Sequence, residues 1–225
     1  MSRTHFVVAC AVVAATIVAL DIKAYAAPIT VQSYAYNPSF PLPYVPNYAD
    51  DGQSPGTGVP NTELTDGQYP TIGSAVGYND VRWVGVEGVM PDNGVPQPEI
   101  TFNLGAIYNL SSLNVIYEVN HGPEIYAPDS VGISFSNNGV TYTAPVLMTG
   151  FDDTSGSDIT VSTSFNLAPG STGQFVKLSF YNDQHWTFLA EISFDGELPT
   201  APEPSSLLLL GLGMLGMMKA ARSRK

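Results

Sequence analysis

Cysteine and basic residues are both scarce in this 225-residue sequence, whose one cysteine is Cys10. Between residues 27 and 200 the only basic side chains besides histidine are Arg82 and Lys177. Eighteen of the twenty acidic residues lie in the same segment, which gives it a net charge of −16 with histidine neutral. A surface of this charge repels a phosphate backbone, so we expect no nucleic-acid partner. It favours solubility and divalent cations such as calcium.

Recognisable catalytic motifs are also missing. No HExxH, P-loop or GxGxxG pattern occurs, and the histidines number three, too few for a histidine-based metal centre. The segment GQSPG at 52–56 matches G-x-S-x-G, but it lies in a proline-rich stretch and not between a strand and a helix. Asp152 and Asp153 lie in a polar loop, where we expect them to be solvated or at most to hold a cation weakly. The sequence therefore predicts a protein without enzymatic activity.

Long apolar runs occur only at the two ends. At the N-terminus a short segment made basic by Arg3 precedes the run Phe6–Leu20, and Ala24-Tyr25-Ala26 supplies the small-x-small pattern of a cleavage site. We therefore predict a signal peptide at 1–26, a signal helix that signal peptidase removes. An uncleaved anchor is disfavoured, because the run is shorter than the ~20 residues of a spanning helix. Removing 1–26 removes Cys10, so the exported chain depends on its core, with or without a metal, and not on disulfides.

The C-terminus combines three elements in order: Pro202-Glu203-Pro204, the apolar run 205–218, and the basic residues Lys219, Arg222, Arg224 and Lys225. These predict a transmembrane helix at about 205–221 with its cations on the cytoplasmic side. A buried C-terminal helix is the alternative, but the basic end has no acidic partner nearby. The segment 201–225 resembles the PEP-CTERM sorting signal of Gram-negative bacteria. That resemblance implies transient anchoring in the inner membrane, cleavage near the motif by an exosortase, and delivery to the cell surface or extracellular matrix.

The segment 27–200 has the pattern of an all-β domain. Short runs rich in valine, isoleucine, tyrosine, phenylalanine and threonine recur between glycine, proline, asparagine and aspartate. Alternation at 113–119, 131–135 and 176–180 places large apolar residues on one face of each strand, and Asn138-Gly139 predicts a hairpin that returns into 141–148. We expect a β-sandwich of eight or nine strands, with an irregular proline-rich segment at 38–60.

The order of motifs in this segment is similar to that of discoidin, or coagulation-factor C-type, domains, which are galactose-binding-like jelly rolls. The motifs are ELTDG (63–67), RW (82–83), ITFNLG (100–105), APDSVGISFSNNGVTY (127–142), FVKLSFYN (175–182) and WTFLAEISFDG (186–196). The resemblance implies a structural calcium ion held by Asp66 and Glu191, with Asp80 as a third ligand. The alternative is that Asp66 caps its own turn and Glu191 is solvated at a strand edge.

The same resemblance implies a sugar site on the loops at one rim of the sandwich. A sugar face needs an aromatic platform, and its hydroxyl groups need polar partners. The candidates are His121, Tyr181, Asn182, His185 and Trp186, together with Tyr78. Trp186 can instead pack in the core, where we expect Trp83 to lie. The sequence thus predicts a non-catalytic binding module for a polysaccharide, and its alternative is a structural or adhesive surface protein with protein partners or no specific ligand.

Overall fold

The computed structural model describes residues 26–37, 50, 62–87, 99–181 and 186–199. Their regular elements are nine strands and one 3₁₀ turn at Glu63–Thr65. The strands are β1 Ala27–Pro28, β2 Ser33–Tyr36, β3 Val84–Glu87, β4 Glu99–Val119, β5 Ser130–Ser136, β6 Val146–Thr149, β7 Ile159–Asn166, β8 Thr172–Tyr181 and β9 Trp186–Glu197. The prediction of an all-β domain with eight or nine strands is confirmed.

The long strand β4 joins the two layers of the domain. Its first part lies between β2 and β8, and that layer continues through β5 to the edge strand β6. Its second part lies between β7 and β9, and β9 also pairs with β1 and β3. The pairing of β4 with β8 shifts register between Asn103 and Tyr108, where Gly105 has a φ of 80°. Such a bulge bends a strand, so one strand serves both layers.

The main core lies between the layers and consists of the predicted alternating residues. Phe102 of the first layer contacts Phe194 of the second, with ring centroids 5.4 Å apart. Their neighbours in this core include the three apolar side chains predicted on each of β5 and β8: Val131, Ile133, Phe135, Val176, Leu178 and Phe180. Burial of each large apolar side chain contributes about 1.5–3 kcal/mol, so this core supplies much of the stability that disulfides would otherwise provide.

A second, smaller core covers the outer face of the β4–β9 layer. It contains Trp83, Ile116, Ile125, Phe188 and Ala190, and Trp186 packs against it half-buried. The segments 71–83 and 120–127 bring Trp83 and Ile125 over this face. The prediction that Trp83 is a core residue is confirmed, because its side chain is fully buried. Towards the end of β4, the face that the alternation leaves to polar residues is therefore buried as well.

The prediction of a tight hairpin at Asn138-Gly139 is wrong about the length of the loop. Strand β6 begins only at Val146, so nine residues separate it from β5. The Asn138 side chain accepts hydrogen bonds from the amides of Val140 and Thr141, and the Thr143 amide donates to the Phe135 carbonyl. These bonds hold a wide loop where a two-residue turn was expected.

The predicted signal helix, the transmembrane helix and most of the irregular segment 38–60 lie outside the described residues. Asp50 is the described member of that segment, and its carboxylate accepts hydrogen bonds from the hydroxyl groups of Tyr34 and Tyr36. Within the described part of the chain, no helix has the length and apolar character needed to cross a membrane.

Candidate functional site

One end of the sandwich carries Tyr78, His121 and Trp186, three of the six predicted ligand-binding residues. Strand β4 ends there, β7 and β9 begin there, and the segments 71–83, 120–129 and 150–158 lie beside them. We call these three segments the rim. The chain termini of the domain lie at the other end, where β1 pairs with the last residues of β9.

A tight turn at 120–125 forms the centre of the rim. The backbone groups of Asn120 and Ile125 exchange two hydrogen bonds of 2.9 and 3.0 Å, and Glu124 has a φ of 65°. This left-handed conformation is uncommon for a residue other than glycine and is found mostly where the surrounding structure enforces it. The Tyr126 amide donates to the Trp186 carbonyl at 2.9 Å, which fixes the turn to the start of β9.

His121 is held from two sides. Its Nε2 lies 3.1 Å from Asp153 Oδ2, and its ring stacks on Tyr126 with centroids 4.6 Å apart. The other oxygen of Asp153 accepts a hydrogen bond from the Ala127 amide at 3.0 Å. Asp153 is thus a positioning residue that the sequence did not reveal, because its partners lie 26 and 32 residues away. Asp152 fits the expected exposed role, since its carboxylate accepts from the amide and hydroxyl of Thr154.

A cavity of about 230 Å³ opens beside this turn. It is lined by Tyr78, Pro123, Ile125, Trp186 and Phe188. Trp186 makes an edge-to-face contact with Phe188, with centroids 6.0 Å apart, and is still partly exposed. Trp186 therefore both packs against the second core and presents an aromatic surface. Tyr78, at 37% exposed, adds a second ring.

Tyr181 is not brought to this cavity. It is the last residue of β8, and its ring lies over Gly132 of β5 and beside Pro145. Its carbonyl accepts a hydrogen bond from the Asp129 amide, so its backbone still borders the rim. Asn182 and His185 lie outside the described residues.

The two carboxylates predicted to bind calcium do lie together. The Gly67 amide, next to Asp66, donates to Glu191 Oε2 at 3.0 Å. Glu191 is 7% exposed, so the alternative of a solvated strand-edge carboxylate is wrong. Burial, together with the charge of Asp66, raises the pKa of Glu191 to about 8.

The two carboxylate oxygens of Asp66 have different surroundings. Its Oδ1 accepts a hydrogen bond from the Gln68 amide at 2.7 Å, which is the turn-capping role considered as the alternative. Its Oδ2 is buried and has no hydrogen-bond partner, and burial raises the pKa of this carboxyl too. An orphaned carboxylate oxygen beside a second buried carboxylate suits a hard cation.

Asp80 does not join this pair, which corrects the prediction of a third ligand. Both of its carboxylate oxygens bond the Arg82 guanidinium, at 2.7 and 2.6 Å. These hydrogen bonds lower the pKa of Asp80. No group of three or more histidine, cysteine, aspartate or glutamate side chains is placed to hold a metal ion within the ranges that the structure describes.

Comparison with known proteins identifies the C-terminal segment and gives similar structures for the β-domain. Residues 200–225 match the PEP-CTERM protein-sorting motif, which confirms the predicted sorting signal. This motif implies export and processing by an exosortase. A search of curated proteins found no match to the chain.

Several solved structures are similar to the β-domain. A family 32 carbohydrate-binding module from Clostridium perfringens, in complex with GalNAc-β-1,3-galactose, has 16% identity and a TM-score of 0.47, over 75% of this chain and 99% of that one. An F5/8 type C domain from Bacteroides fragilis has 15% identity and a TM-score of 0.47, over 76% and 97%. A fucolectin from striped bass serum, Morone saxatilis, has 13% identity and a TM-score of 0.46, over 78% and 52%. Similarity at this level assigns neither a ligand nor a site.

Proposed function

We propose that the protein is an exported, non-catalytic carbohydrate-binding module whose sugar site is the aromatic cavity at the rim. The cavity itself is the observation that carries this proposal. Trp186 and Tyr78 provide apolar ring surfaces, and the turn that lines the cavity also carries His121 with its Asp153 partner. Aromatic faces stack on the apolar face of a sugar ring, while polar groups beside them bond its hydroxyls. At about 230 Å³ the cavity accommodates a single ring more readily than a long oligosaccharide.

The charge of the domain restricts the class of sugar. With a net charge of −16 over residues 27–200, the domain repels anionic polymers. A neutral polysaccharide, or an anionic one bridged by calcium, is therefore the ligand class that fits. A shallow site binds one ring weakly, so retention on a polymer would come from many copies on one surface.

The site can be tested with Tyr78→Ala and His121→Ala in a glycan array and in isothermal titration. We expect each variant to bind the selected glycan at least tenfold more weakly than the wild type, because a stacking surface or a polar partner is removed. An effect of this size corresponds to about 1.4 kcal/mol. Tyr142→Ala is the matched control, since Tyr142 lies in the β5–β6 loop at the other end of the domain.

Two results would contradict this assignment. The first is a wild type that binds no glycan at millimolar concentration. The second is retention of full affinity by both rim variants after circular dichroism has shown that they fold. Either result would favour the second candidate function, a structural or adhesive surface protein with a protein partner or no specific ligand.

We also propose that Asp66 and Glu191 hold a structural calcium ion. The buried, unpartnered Asp66 Oδ2 and the buried carboxyl of Glu191 support this, as does the scarcity of basic residues in the domain. Calcium binds carboxylate and carbonyl oxygens and tolerates irregular geometry. An ion here would tie the turn after Thr65 to β9, and so fix the start of the segment that leads to Tyr78.

The route of export is a further part of the proposal. Signal peptidase would release residues 1–26, and the apolar run 205–218 would hold the chain in the inner membrane. An exosortase would then cut near Pro202-Glu203-Pro204 and deliver the domain to the cell surface or the extracellular matrix.

A further inference from the structure

Glu118 is a further buried carboxylate, on the outer face of the β4–β9 layer beneath the rim. It lies near the end of β4 on the same face as Ile116 and is fully buried. Asn120 Nδ2 donates to its Oε1 at 3.3 Å, whereas its Oε2 is buried without a hydrogen-bond partner. An isolated carboxylate in such a place costs several kcal/mol unless a cation or a proton neutralises it.

Thr160 of β7 is directly opposite Glu118 in the register of the sheet. The Thr160 amide donates to the Ser74 carbonyl, and its own carbonyl accepts from the Gly73 amide. Since its backbone groups point away from β4, Glu118 and Thr160 form a non-hydrogen-bonded pair, in which opposite side chains are closest. Thr160 is 1% exposed, and its Oγ1 also lacks a hydrogen-bond partner.

Asp158 adds a second carboxylate to the same place. Its Oδ2 accepts a hydrogen bond from the Gly77 amide at 2.8 Å, and its Oδ1 is buried without a partner. Asp158 is close enough to Glu118 for its charge to raise the pKa of that carboxyl, although burial is the larger cause. The pKa of Glu118 rises to about 7. The carboxyl groups of Glu118 and Asp158 thus lie together, on the face of the sheet that also carries the Thr160 hydroxyl.

Among the residues that the structure describes, no lysine or arginine pairs with Glu118 or Asp158. Arg82 is the one lysine or arginine in the segment above it, and Asp80 already occupies its guanidinium. The charge of Asp80 raises the pKa of Glu118 further, so the electrostatic potential around Glu118 is negative. The two facing carboxylates carry two negative charges, and a divalent cation would balance both.

We propose that Glu118, Asp158 and Thr160 form an internal site for a divalent cation of the calcium type beneath the segment 71–83. The ligands are the two carboxylates and the hydroxyl, and main-chain carbonyls or water complete the coordination. Calcium fits better than magnesium, because magnesium keeps several water molecules and demands near-octahedral geometry, whereas calcium accepts an irregular set of protein oxygens.

The ion would connect β4, β7 and the rim. Glu118 lies at the end of β4, Thr160 at the start of β7, and Asp158 bonds the amide of Gly77, the residue before Tyr78. A cation at their centre would therefore hold the backbone beside Tyr78 against the sheet. Its ligands differ from Asp66 and Glu191, so separate variants test the two proposals.

The test is a calcium titration of the full chain, purified in mild detergent and freed of metal with a chelator. Isothermal titration counts the ions bound to the wild type, to Glu118→Gln and to Glu191→Gln. Glutamine keeps the shape of Glu118 and can still accept the Asn120 hydrogen bond. We expect two ions in the wild type and one in each variant. Asp158→Asn, at a partly exposed residue, should lose the same ion as Glu118→Gln and serves if that variant does not fold.

The outcomes separate the two sites. A wild type that binds one ion, lost in Glu118→Gln and kept in Glu191→Gln, would support this site and contradict calcium at Asp66 and Glu191. An unchanged ion count in Glu118→Gln and Asp158→Asn would overturn the proposal, as would a wild type that binds no calcium. In those cases a proton on Glu118 removes its buried charge, and Glu118→Gln should raise the melting temperature at pH 8 in chelator.

Discussion

In the presence of a chelator, the folded domain is expected to lose stability as the pH rises from about 5 to about 8. Glu191 is the main cause. Its pKa is about 8 in the folded state, against an ordinary value of 4.5. Below 4.5 the carboxyl is protonated in both states, and its burial carries no charge penalty. Between 4.5 and 8 the folded state binds the proton more tightly than the unfolded state, so stability falls with rising pH until the folded pKa is passed.

The magnitude follows from the size of the shift. One pKa unit corresponds to about 1.4 kcal/mol, so Glu191 accounts for about 3–5 kcal/mol across this range. In a domain of this size that equals a fall in melting temperature of about 10 °C. Glu118 adds a loss of the same sign between its ordinary value of 4.5 and its folded pKa of about 7.

Calcium should reverse this dependence, because a cation stabilises the ionised carboxylates. At pH 8 the melting temperature should rise on adding calcium, and the rise should be smaller in Glu191→Gln and Asp66→Ala, which keep only the site proposed at Glu118. In chelator Glu191→Gln should melt higher than the wild type at pH 8, since the buried charge is gone. Glu197→Gln, on the same strand, is the control and should respond like the wild type. Equal melting curves with calcium and with chelator would mean that Asp66 and Glu191 serve only the turn and the strand.

The sequence predicted the parts of the fold that have a simple period. Alternation at Val131, Ile133 and Phe135 and at Val176, Leu178 and Phe180 marks the face between the layers, and all six residues are buried there. What it could not predict is the burial of the opposite face of β4. Glu118 occupies a position that alternation assigns to solvent, and the cover over it comes from segment 71–83, which has no period of its own.

The candidate site also contains some residues that the sequence could predict and others that it could not. Asp66 and Glu191 could be paired through family resemblance, although 125 residues separate them in the sequence. The prediction that Asp80 is a metal ligand was wrong because its carboxylate pairs with Arg82, two residues away. An ion pair between sequence neighbours forms more readily than a metal site whose ligands are far apart in the chain. Asp153 and the turn at Asn120 and Ile125 depend on contacts between separate loops, which leave no periodic signal.

Replacing Pro202-Glu203-Pro204 with three alanines is expected to abolish release of the processed protein almost completely. The motif at 200–225 implies recognition by an exosortase, and the run that follows contains six leucines between residues 207 and 215. Each leucine favours the centre of a bilayer by about 0.3–0.6 kcal/mol, and the basic residues after the run resist translocation. A chain that is not cut therefore has no route out of the membrane. Immunoblots of membrane and extracellular fractions should show the longer precursor in the membrane and little shorter product outside.

The matched control changes the two residues after the motif, Ser205→Ala and Ser206→Ala. These substitutions leave Pro-Glu-Pro intact and make the apolar run slightly more apolar, so processing should continue at the wild-type level. If the triple-alanine protein were released and shortened as efficiently as the control, sorting would not depend on this motif. If instead both proteins stayed in the membrane, processing would require Ser205 and Ser206 as well as the Pro-Glu-Pro motif. The expected contrast, retention of one and release of the other, assigns recognition to the three residues Pro202, Glu203 and Pro204 and anchoring to the run that follows them.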